Sequence, residues 1–319
     1  MQYLCGTKQM AREGASVYSV DYPLAPGSPF PCAIVSLLRA FVWLKTVRKV
    51  KTLSIVGDSA GGSLASFTAA LASSSDLMSA FCKACEVYVA QHRGAKGAGK
   101  PAPATVLNSV SDFCKLGLGD ATRFSRSLPR MKSMVSVYGM LDTSSFWADG
   151  PLKTISWIEY HLAVLGMNFC LDCYRSGVED FPFPMHFVEL FKDSLTKSLL
   201  DVDTFPRTLL VCGDKDPLVF SSDRALAVLQ EFGVEAQLNT YSARHVRLGE
   251  RARAHPNHKI MRHSQRPRIL LCDCVRRRLL SGSQSRGSTR NSEERQHEPM
   301  LPFEGSFGTI SSRRWRLKR

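Results

Sequence analysis

Apolar and polar positions in the first part of the chain switch repeatedly between strand-like runs and helical spacing. The β-branched and aromatic run Val17-Tyr18-Ser19-Val20, within residues 15–22, is typical of a strand. From residue 31 to 44 apolar residues recur at helical spacing. A second apolar strand at 53–56 then leads through Gly57 into an apolar helical segment at 63–71. This strand, helix, strand, helix alternation predicts a parallel sheet covered by helices.

The same alternation returns later in the chain. A strand is predicted at 134–138, and a helix, apolar on most faces, at 154–174. Residues 208–212 form a near-continuous apolar run of the kind a buried parallel strand shows. A helix at 222–232 ends before Gly233, and a further strand follows at 234–241. We therefore expect an α/β fold, a mostly parallel sheet with helices on both faces, built from residues 1–243.

Three segments depart from this pattern. Residues 91–132 are rich in Gly, Lys, Ser and Arg, and they predict a flexible surface insertion. Residues 150–200 are expected to supply cap or cover helices over the site, and a core helix is the alternative for 154–174. Strand and helix periodicity fades after residue 243. We therefore predict that residues 244–319 form a largely disordered basic tail.

The net charge of +14 belongs to that tail. Residues 1–243 carry 23 Lys and Arg against 22 Asp and Glu, whereas residues 244–319 carry 19 against 6. The globular part is thus nearly neutral, and its charge indicates no nucleic-acid partner. Arginine clusters in the tail, such as 276–278, could contact nucleic acid or anionic lipid, but such runs are more often simply solvated.

Leader and cysteine patterns bear on location and metal binding. The sequence opens without a signal-peptide pattern, and its longest near-apolar run, 33–44, is too short to span a bilayer. We expect a cytoplasmic protein with reduced cysteines. The Cys-x-x-Cys pairs Cys82/Cys85 and Cys170/Cys173 lie in helix-like segments, where this spacing is common. Buried free cysteine usually acts as a small hydrophobic residue, so we predict no metal site and no cofactor.

The clearest chemical motif is Gly-x-Ser-x-Gly at residues 57–61, directly after an apolar strand and before a helix. Such a turn lifts one hydroxyl out of a strand-to-helix bend, which makes Ser59 the candidate nucleophile. The helix amides at Ala60 and Gly61 would face an oxyanion that forms on the substrate. An ordinary glycine-rich turn with a bystander serine is the alternative.

Two further residues follow predicted strands. Asp216 lies just after the strand at 208–212, and His245 lies just after the strand at 234–241. The order Ser59, Asp216, His245 is the chain order of α/β-hydrolase triads, with nucleophile, acid and base each after a strand. A histidine that merely opens the basic tail is the alternative for His245.

Taken together, these motifs resemble the hormone-sensitive lipase family of α/β-hydrolases. The stretch Asp21-Tyr22-Pro23-Leu24-Ala25-Pro26 resembles the family's Asp-Tyr-x-Leu-Ala-Pro, and residues 57–62 match its Gly-Asp-Ser-Ala-Gly-Gly elbow. Asp216-Pro217-Leu218 resembles its acid motif. The resemblance covers residues 15 to about 245. It implies an α/β-hydrolase fold and serine carboxylester hydrolysis of acyl esters or neutral lipids, with Ser59 as nucleophile and Asp216 as acid.

The sequence departs from the family pattern in two places. The family's His-Gly-Gly-Gly oxyanion loop should precede residue 21 and is not present, so we expect a sheet incomplete on its N-terminal side. His245 lies in Ala-Arg-His-Val-Arg rather than His-Gly-Phe. The alternatives are an impaired or inactive hydrolase remnant and, less favoured, a protein that binds nucleic acid or an anionic surface through its tail. Contact with a lipid surface is consistent with the leading hypothesis, and the sequence leaves the oligomeric state open.

Overall fold

The computed structural model describes most of the first 242 residues and one later strand. The described residues are 10–94, 104–118, 128–146, 156–174, 184–196, 200, 202–242 and 269–274. The strands are β1 Ala15–Val20, β2 Thr52–Asp58, β3 Arg130–Val137, β4 Arg207–Gly213, β5 Ala236–Tyr241 and β6 Ile269–Cys274. The helices are α1 Cys32–Thr46, α2 Ala60–Ser73, α3 Ser75–Gly94, α4 Ala104–Leu118, α5 Thr143–Phe146, α6 Trp157–Tyr174, α7 Phe187–Thr196 and α8 Val219–Glu231.

These strands form one mostly parallel sheet. Its strand order is β1-β6-β2-β3-β4-β5. Strands β2 to β5 are parallel to one another, whereas β6 runs antiparallel to both of its neighbours, β1 and β2. The predicted α/β architecture, a mostly parallel sheet with helices, is therefore confirmed. Because their strands are parallel, the turns after β2, β3 and β4 all lie at one edge of the sheet.

Strand β6 comes from the basic segment 244–319, where the sequence pattern indicated no strand. It lies between β1 and β2, and Ile269 is in register with Val20 on one side and Gly57 on the other. The run Ile269-Leu270-Leu271-Cys272 is apolar enough for a central strand, but arginine-rich sequence surrounds it. The rest of the predicted tail lies outside the described residues.

The predicted surface insertion at 91–132 also contains regular structure. Residues 104–118 form helix α4, which packs against α3 and has Leu107, Val110 and Phe113 buried. Val110 and Phe113 are each only 1% exposed. These positions recur at helical spacing, a signal that the glycine-rich sequence before them obscured. Residues 95–103 and 119–127 of the predicted insertion lie outside the described residues.

The core is formed by helices that lie against the sheet. In α2 every residue from Gly61 to Leu71 is buried, which explains why this helix is apolar or small on all faces. Phe30 packs edge-on against Phe67 of α2 and Phe81 of α3, with ring centroids 6.3 and 6.0 Å apart. Across the described residues, every helix falls short of the length and apolarity that a membrane span requires.

Candidate active site

Ser59 occupies a strained turn between β2 and α2. Its φ of 53° and ψ of −124° place a non-glycine residue in a region that L-residues seldom adopt. The Ser59 amide donates to the carbonyl of Val137 at 2.9 Å, and the Ser59 carbonyl accepts from the amide of Gly62 at 2.8 Å. The predicted strand–turn–helix context of the motif is therefore confirmed. Such a turn exposes a hydroxyl at the end of a strand, which is the setting that the predicted nucleophile role requires.

Glycine is required at position 57 because the chain nearly touches itself there. A Cβ atom at Gly57 would overlap the carbonyl group of Gly61 and lie 2.8 Å from the amide nitrogen of Gly62. At Gly62 a Cβ would lie 2.6 Å from the Ser136 hydroxyl and 3.0 Å from the Cα of Gly139. The glycines thus let α2 pack directly against β2 and against the end of β3.

Ala60 and Gly61 are the first residues of α2. Amides in the first turn of a helix lack intrahelical acceptors, and the helix dipole favours negative charge beside them. Ala60 is exposed and Gly61 is buried. Their placement fits the oxyanion role expected from the sequence.

Asp216 lies in the turn after β4, at the same edge of the sheet as Ser59. Its side chain is completely buried. The Asp216 carboxylate accepts from the Leu218 amide at 2.9 Å, and its backbone carbonyl accepts from the Val219 amide at 3.0 Å, where α8 begins. With one strand between β2 and β4, the two turns are about 10 Å apart. The turn therefore holds Asp216 close enough to Ser59 for a side chain from one further loop to lie between them.

Tyr138, which sequence reasoning did not select as a site residue, lies between these two turns. It has a φ of 40° directly after β3, and its hydroxyl donates to the Asp58 carboxylate at 3.4 Å. Burial raises the pKa of Tyr138 to about 12, and the carboxylates of Asp58 and Asp216 add to that shift. A tyrosine followed by glycine at the end of a predicted strand was the available signal in the sequence.

Tyr22, from the Asp-Tyr-x-Leu-Ala-Pro stretch, is a second buried tyrosine on which the charge of Asp58 acts. Burial raises the pKa of the Tyr22 phenol, and the negative charges of Asp58 and Asp21 raise it further. Asp58, the residue directly before Ser59, therefore acts electrostatically on two phenols and accepts a hydrogen bond from one of them, Tyr138.

His245, the predicted base, lies outside the described residues. Strand β5 ends at Tyr241, whose carbonyl accepts from the Asp214 amide at 2.8 Å. The chain thus leaves the sheet beside the turn that holds Asp216. The structure brings Ser59 and Asp216 to one edge of the sheet, and His245 stays a prediction.

A buried polar network connects the first turn of α8 to the segment that follows β3. The Ser221 hydroxyl oxygen accepts from the backbone amides of Leu141 and Asp142 at 2.8 and 2.9 Å. The Asp142 carboxylate is completely buried, binds Arg224 at 2.9 Å and accepts from Ser144. Because α8 begins three residues after Asp216, this network also supports the turn that holds Asp216.

We expect Ser221→Ala to destabilise the protein. The substitution leaves two buried amides without their acceptor, which should lower the free energy of unfolding by about 2–4 kcal/mol. Urea denaturation measures this directly. The neighbouring Ser222 is equally buried and interacts with the Cys212 thiol, so Ser222→Ala is a matched control with a smaller expected loss. Equal losses of unfolding free energy in the two variants would contradict the role of Ser221 as the acceptor for these two amides.

Glu189 of α7 approaches the same network. Burial raises the pKa of Glu189 above its ordinary value of 4.5, and so do its hydrogen bond to Asp142 and the charge of that carboxylate. The backbone amide of Glu189 and the Arg224 cation act in the opposite direction. The two carboxyl groups can share a hydrogen bond only while one of them holds a proton.

Stability should consequently fall as this pair loses its proton. A group whose pKa is raised in the folded state stabilises the fold below its ordinary pKa, and that contribution disappears as pH rises through the raised value. As the pH rises above 4.5, the thermal unfolding temperature of the parent should fall relative to that of Glu189→Gln. The glutamine keeps a hydrogen-bond donor at every pH. Glu231→Gln, at an exposed glutamate of α8, is the control. Parallel pH profiles for parent and Glu189→Gln would refute the shared proton.

Helix α6 lies beside this edge of the sheet, within the segment 150–200 expected to cover the site. Val164 and Met167 pack against a cluster that includes Met140 and Leu218, next to the Asp216 turn. The helix also exposes large apolar side chains, each by more than 60% of its surface, at Trp157, Ile158, Leu162, Leu165 and Phe169. Their exposure is unlike that of side chains in a core helix, and the cover role stays a prediction.

The cysteine pairs show no metal-binding arrangement in the part of the chain that the structure describes, where no group of three or more His, Cys, Asp or Glu side chains could hold an ion. Cys82 and Cys85 are buried in α3, whereas Cys170 is exposed on α6.

Comparison with known proteins identifies the fold. A family model described as an alpha/beta hydrolase fold matches residues 5–105, which include the elbow. No curated protein sequence gives a match. With the mostly parallel sheet and the strained serine turn, the family match defines an α/β-hydrolase fold.

Similar solved structures include several esterases. One of two fungal esterases from Rhizomucor miehei is 19% identical, with 70% of this chain and 54% of that chain covered and a TM-score of 0.42. A hyperthermophilic esterase from Pyrobaculum calidifontis is 22% identical, with coverage of 71% and 56% and a TM-score of 0.40. An inhibited esterase B from Lactobacillus rhamnosis is 17% identical, with coverage of 69% and 53% and a TM-score of 0.42. The chain spans about half the length of these structures.

Proposed function

We propose that the protein is a serine carboxylester hydrolase of the hormone-sensitive lipase family, acting on acyl esters or neutral lipids. The observation that carries this proposal is the positive φ of Ser59 in a glycine-bounded turn at the start of α2. A strained serine at a helix N-terminus, at the same sheet edge as a buried aspartate, is the arrangement that acyl transfer needs.

In the proposed reaction Ser59 Oγ attacks the ester carbonyl carbon while His245 takes its proton. Asp216 orients the imidazole and stabilises the imidazolium. The amides of Ala60 and Gly61 stabilise the oxyanion of the tetrahedral intermediate. His245 then donates the proton to the leaving alcohol, and water attacks the acyl-serine by the same route to release the acid. These steps need no cofactor.

A second candidate function is that of a catalytically impaired hydrolase. It rests on the oxyanion donors, because residues 10–20, the described residues directly before the Asp-Tyr-x-Leu-Ala-Pro stretch, carry no His-Gly-Gly-Gly loop. Loss of one oxyanion donor lowers turnover by about 10²–10³. The impaired chain would then retain the fold and Ser59 while turning esters over slowly.

Active-site labelling tests the leading proposal. A fluorophosphonate should label the parent covalently at Ser59, and Ser59→Ala should label at least ~10³-fold more slowly. Ser73→Ala, at the far end of the same helix, is the matched control and should label like the parent, because its hydroxyl only bonds the Ala69 carbonyl. Equal labelling of the parent and Ser59→Ala would remove Ser59 from the mechanism.

The rate of labelling separates the two candidates. A chain with the impaired site should label slowly, and a fused upstream His-Gly-Gly-Gly segment should restore rapid ester turnover. A chain that already turns over esters as fast as the fused version has no missing donor, and the second candidate is then excluded.

Contact with lipid surfaces is part of the same proposal, and the exposed apolar side chains of α6 support it. The nucleic-acid alternative through the basic tail is tested by truncation after residue 274, which keeps β6 in the sheet. Loss of a steeply salt-dependent affinity would support that alternative, and no change would exclude it. The cytoplasmic location stays a prediction.

A further inference from the structure

Tyr138, directly after β3, has a backbone conformation that a bulky residue rarely adopts. Its φ is 40°, and Ser59, at the end of the neighbouring strand β2, has a φ of 53°. One further non-glycine residue with a positive φ occurs among the described residues, Lys49, and it lies at the opposite edge of the sheet, before β2. Two of the three strained residues therefore end adjacent strands at the edge where the proposed reaction takes place.

The backbone around Tyr138 is bonded to the elements on both sides of it. The Tyr138 amide donates to the carbonyl of Val211 in β4 at 2.6 Å, and the Val137 carbonyl accepts from the Ser59 amide at 2.9 Å. A Cβ atom on the glycine that follows Tyr138 would lie 3.0 Å from the carbonyl carbon of Gly62 in α2. The turn after β3 is thus held against the Ser59 turn and α2 on one side and β4 on the other. These contacts explain how Tyr138 keeps its strained φ.

The side chain of Tyr138 adds a contact of its own to the Ser59 turn. Its hydroxyl donates to the Asp58 carboxylate at 3.4 Å, and Asp58 directly precedes Ser59 in the chain. The ring packs against the apolar cluster that contains Leu218, two residues after Asp216. Burial, together with the carboxylates of Asp58 and Asp216, raises the pKa of Tyr138 to about 12. The phenol therefore keeps its proton, and remains a hydrogen-bond donor, near neutral pH.

We propose that Tyr138 is a positioning residue for the nucleophile and acts through Asp58. This inference rests on the proposed function, because it assigns a role within the same site. A strained residue such as Ser59 keeps its conformation only where the surrounding contacts hold it. The Tyr138 hydroxyl holds the side chain of the residue directly before Ser59, which limits how far the Ser59 turn can relax. In this role the phenol acts on Ser59 through the chain and makes no contact with the substrate.

The length of the hydrogen bond sets the size of the expected effect. A hydrogen bond to a charged group contributes about 10-fold to 100-fold to an equilibrium or a rate, and misplacing a reacting group by ~1 Å can lower a rate ~10²-fold. The distance of 3.4 Å from the Tyr138 hydroxyl to the Asp58 carboxylate is long for a bond of this kind. We therefore expect loss of the phenol hydroxyl to lower the reactivity of Ser59 by about 10-fold, the lower end of that range.

The test is the rate of fluorophosphonate labelling of the full chain, measured over a range of probe concentrations. Tyr138→Phe should lower the rate at saturating probe by about 10-fold and leave the half-saturating concentration unchanged, because the phenol positions Ser59 without contacting the probe. Tyr22→Phe is the matched control. It removes the hydroxyl of a second buried tyrosine, for which the described residues provide no hydrogen-bond partner, and it should label like the parent.

A double-mutant cycle with Asp58→Ala shows whether Tyr138 acts through Asp58. Asp58→Ala should slow labelling at least as much as Tyr138→Phe does. Adding Tyr138→Phe to Asp58→Ala should slow it no further, because the phenol has already lost its acceptor. Asp58→Asn has an amide oxygen that can still accept from the phenol, so it should retain more of the parental rate than Asp58→Ala.

Three results would overturn the proposal: parental labelling in Tyr138→Phe, a change confined to the half-saturating concentration, and losses that multiply in the double variant. If Tyr138→Phe does not fold, parental labelling in Asp58→Ala overturns the proposal by itself. All of these are read against a parent that labels at Ser59. A parent that labels no faster than Ser59→Ala would instead contradict the proposed function, and this inference with it.

Discussion

Gly57→Ala should abolish the folded elbow and, with it, the labelling of Ser59. The added Cβ would overlap the carbonyl group of Gly61 and approach the amide nitrogen of Gly62 to 2.8 Å. Both neighbours are backbone atoms, which cannot rotate aside as a flexible side chain can. Either α2 or β2 must shift, and Ser59 loses its position in both cases. We expect a loss of ~3 kcal/mol or more in the free energy of unfolding.

Gly166→Ala is the matched control for this effect. Gly166 lies exposed in α6, and a Cβ there would meet no atom within 4 Å. The same substitution should leave labelling unchanged and stabilise the helix by up to ~1 kcal/mol. Urea denaturation and fluorophosphonate labelling of both variants provide the comparison. If Gly57→Ala kept parental stability and labelling, the described elbow geometry would be wrong.

The elbow was predictable from the sequence because its causes are local. An apolar run forms β2, small and apolar residues form α2, and the glycines at 57 and 62 allow α2 to pack closely against the sheet. The Asp216 turn followed the same logic, since an apolar strand ends there in a turn-forming sequence. Local propensity and the tertiary structure agree in both places.

Strand β6 could not be predicted in the same way. It is short, arginine-rich sequence surrounds it, and the strands it pairs with lie more than two hundred residues earlier. Strand pairing at that separation leaves no periodicity in the sequence. The same is true of Tyr138, whose hydrogen bond depends on Asp58 from another strand.

The last prediction concerns the base of the proposed triad. Strand β5 ends at Tyr241, in register with Gly213 and hydrogen bonded to Asp214, beside the turn that holds Asp216. His245 follows four residues later, so it lies at most about 14 Å from that strand end. His255 and His258 follow through much longer connections, and ordering a longer connection costs more conformational entropy. Proton transfer needs a fixed hydrogen-bond geometry, which favours His245.

We therefore expect His245→Ala to lower ester turnover by about 10⁴, as disabling a triad member does, while His255→Ala and His258→Ala stay near the parent. The measurement is kcat for a soluble acyl ester in all three variants, with thermal unfolding recorded to show that the fold is intact. Fluorophosphonate labelling of Ser59 should slow in His245→Ala alone, because the serine hydroxyl loses the base that activates it. If His245→Ala keeps parental turnover while Ser59→Ala is inactive, another group accepts the serine proton, and the effects of His255→Ala and His258→Ala then show whether it is one of those two histidines.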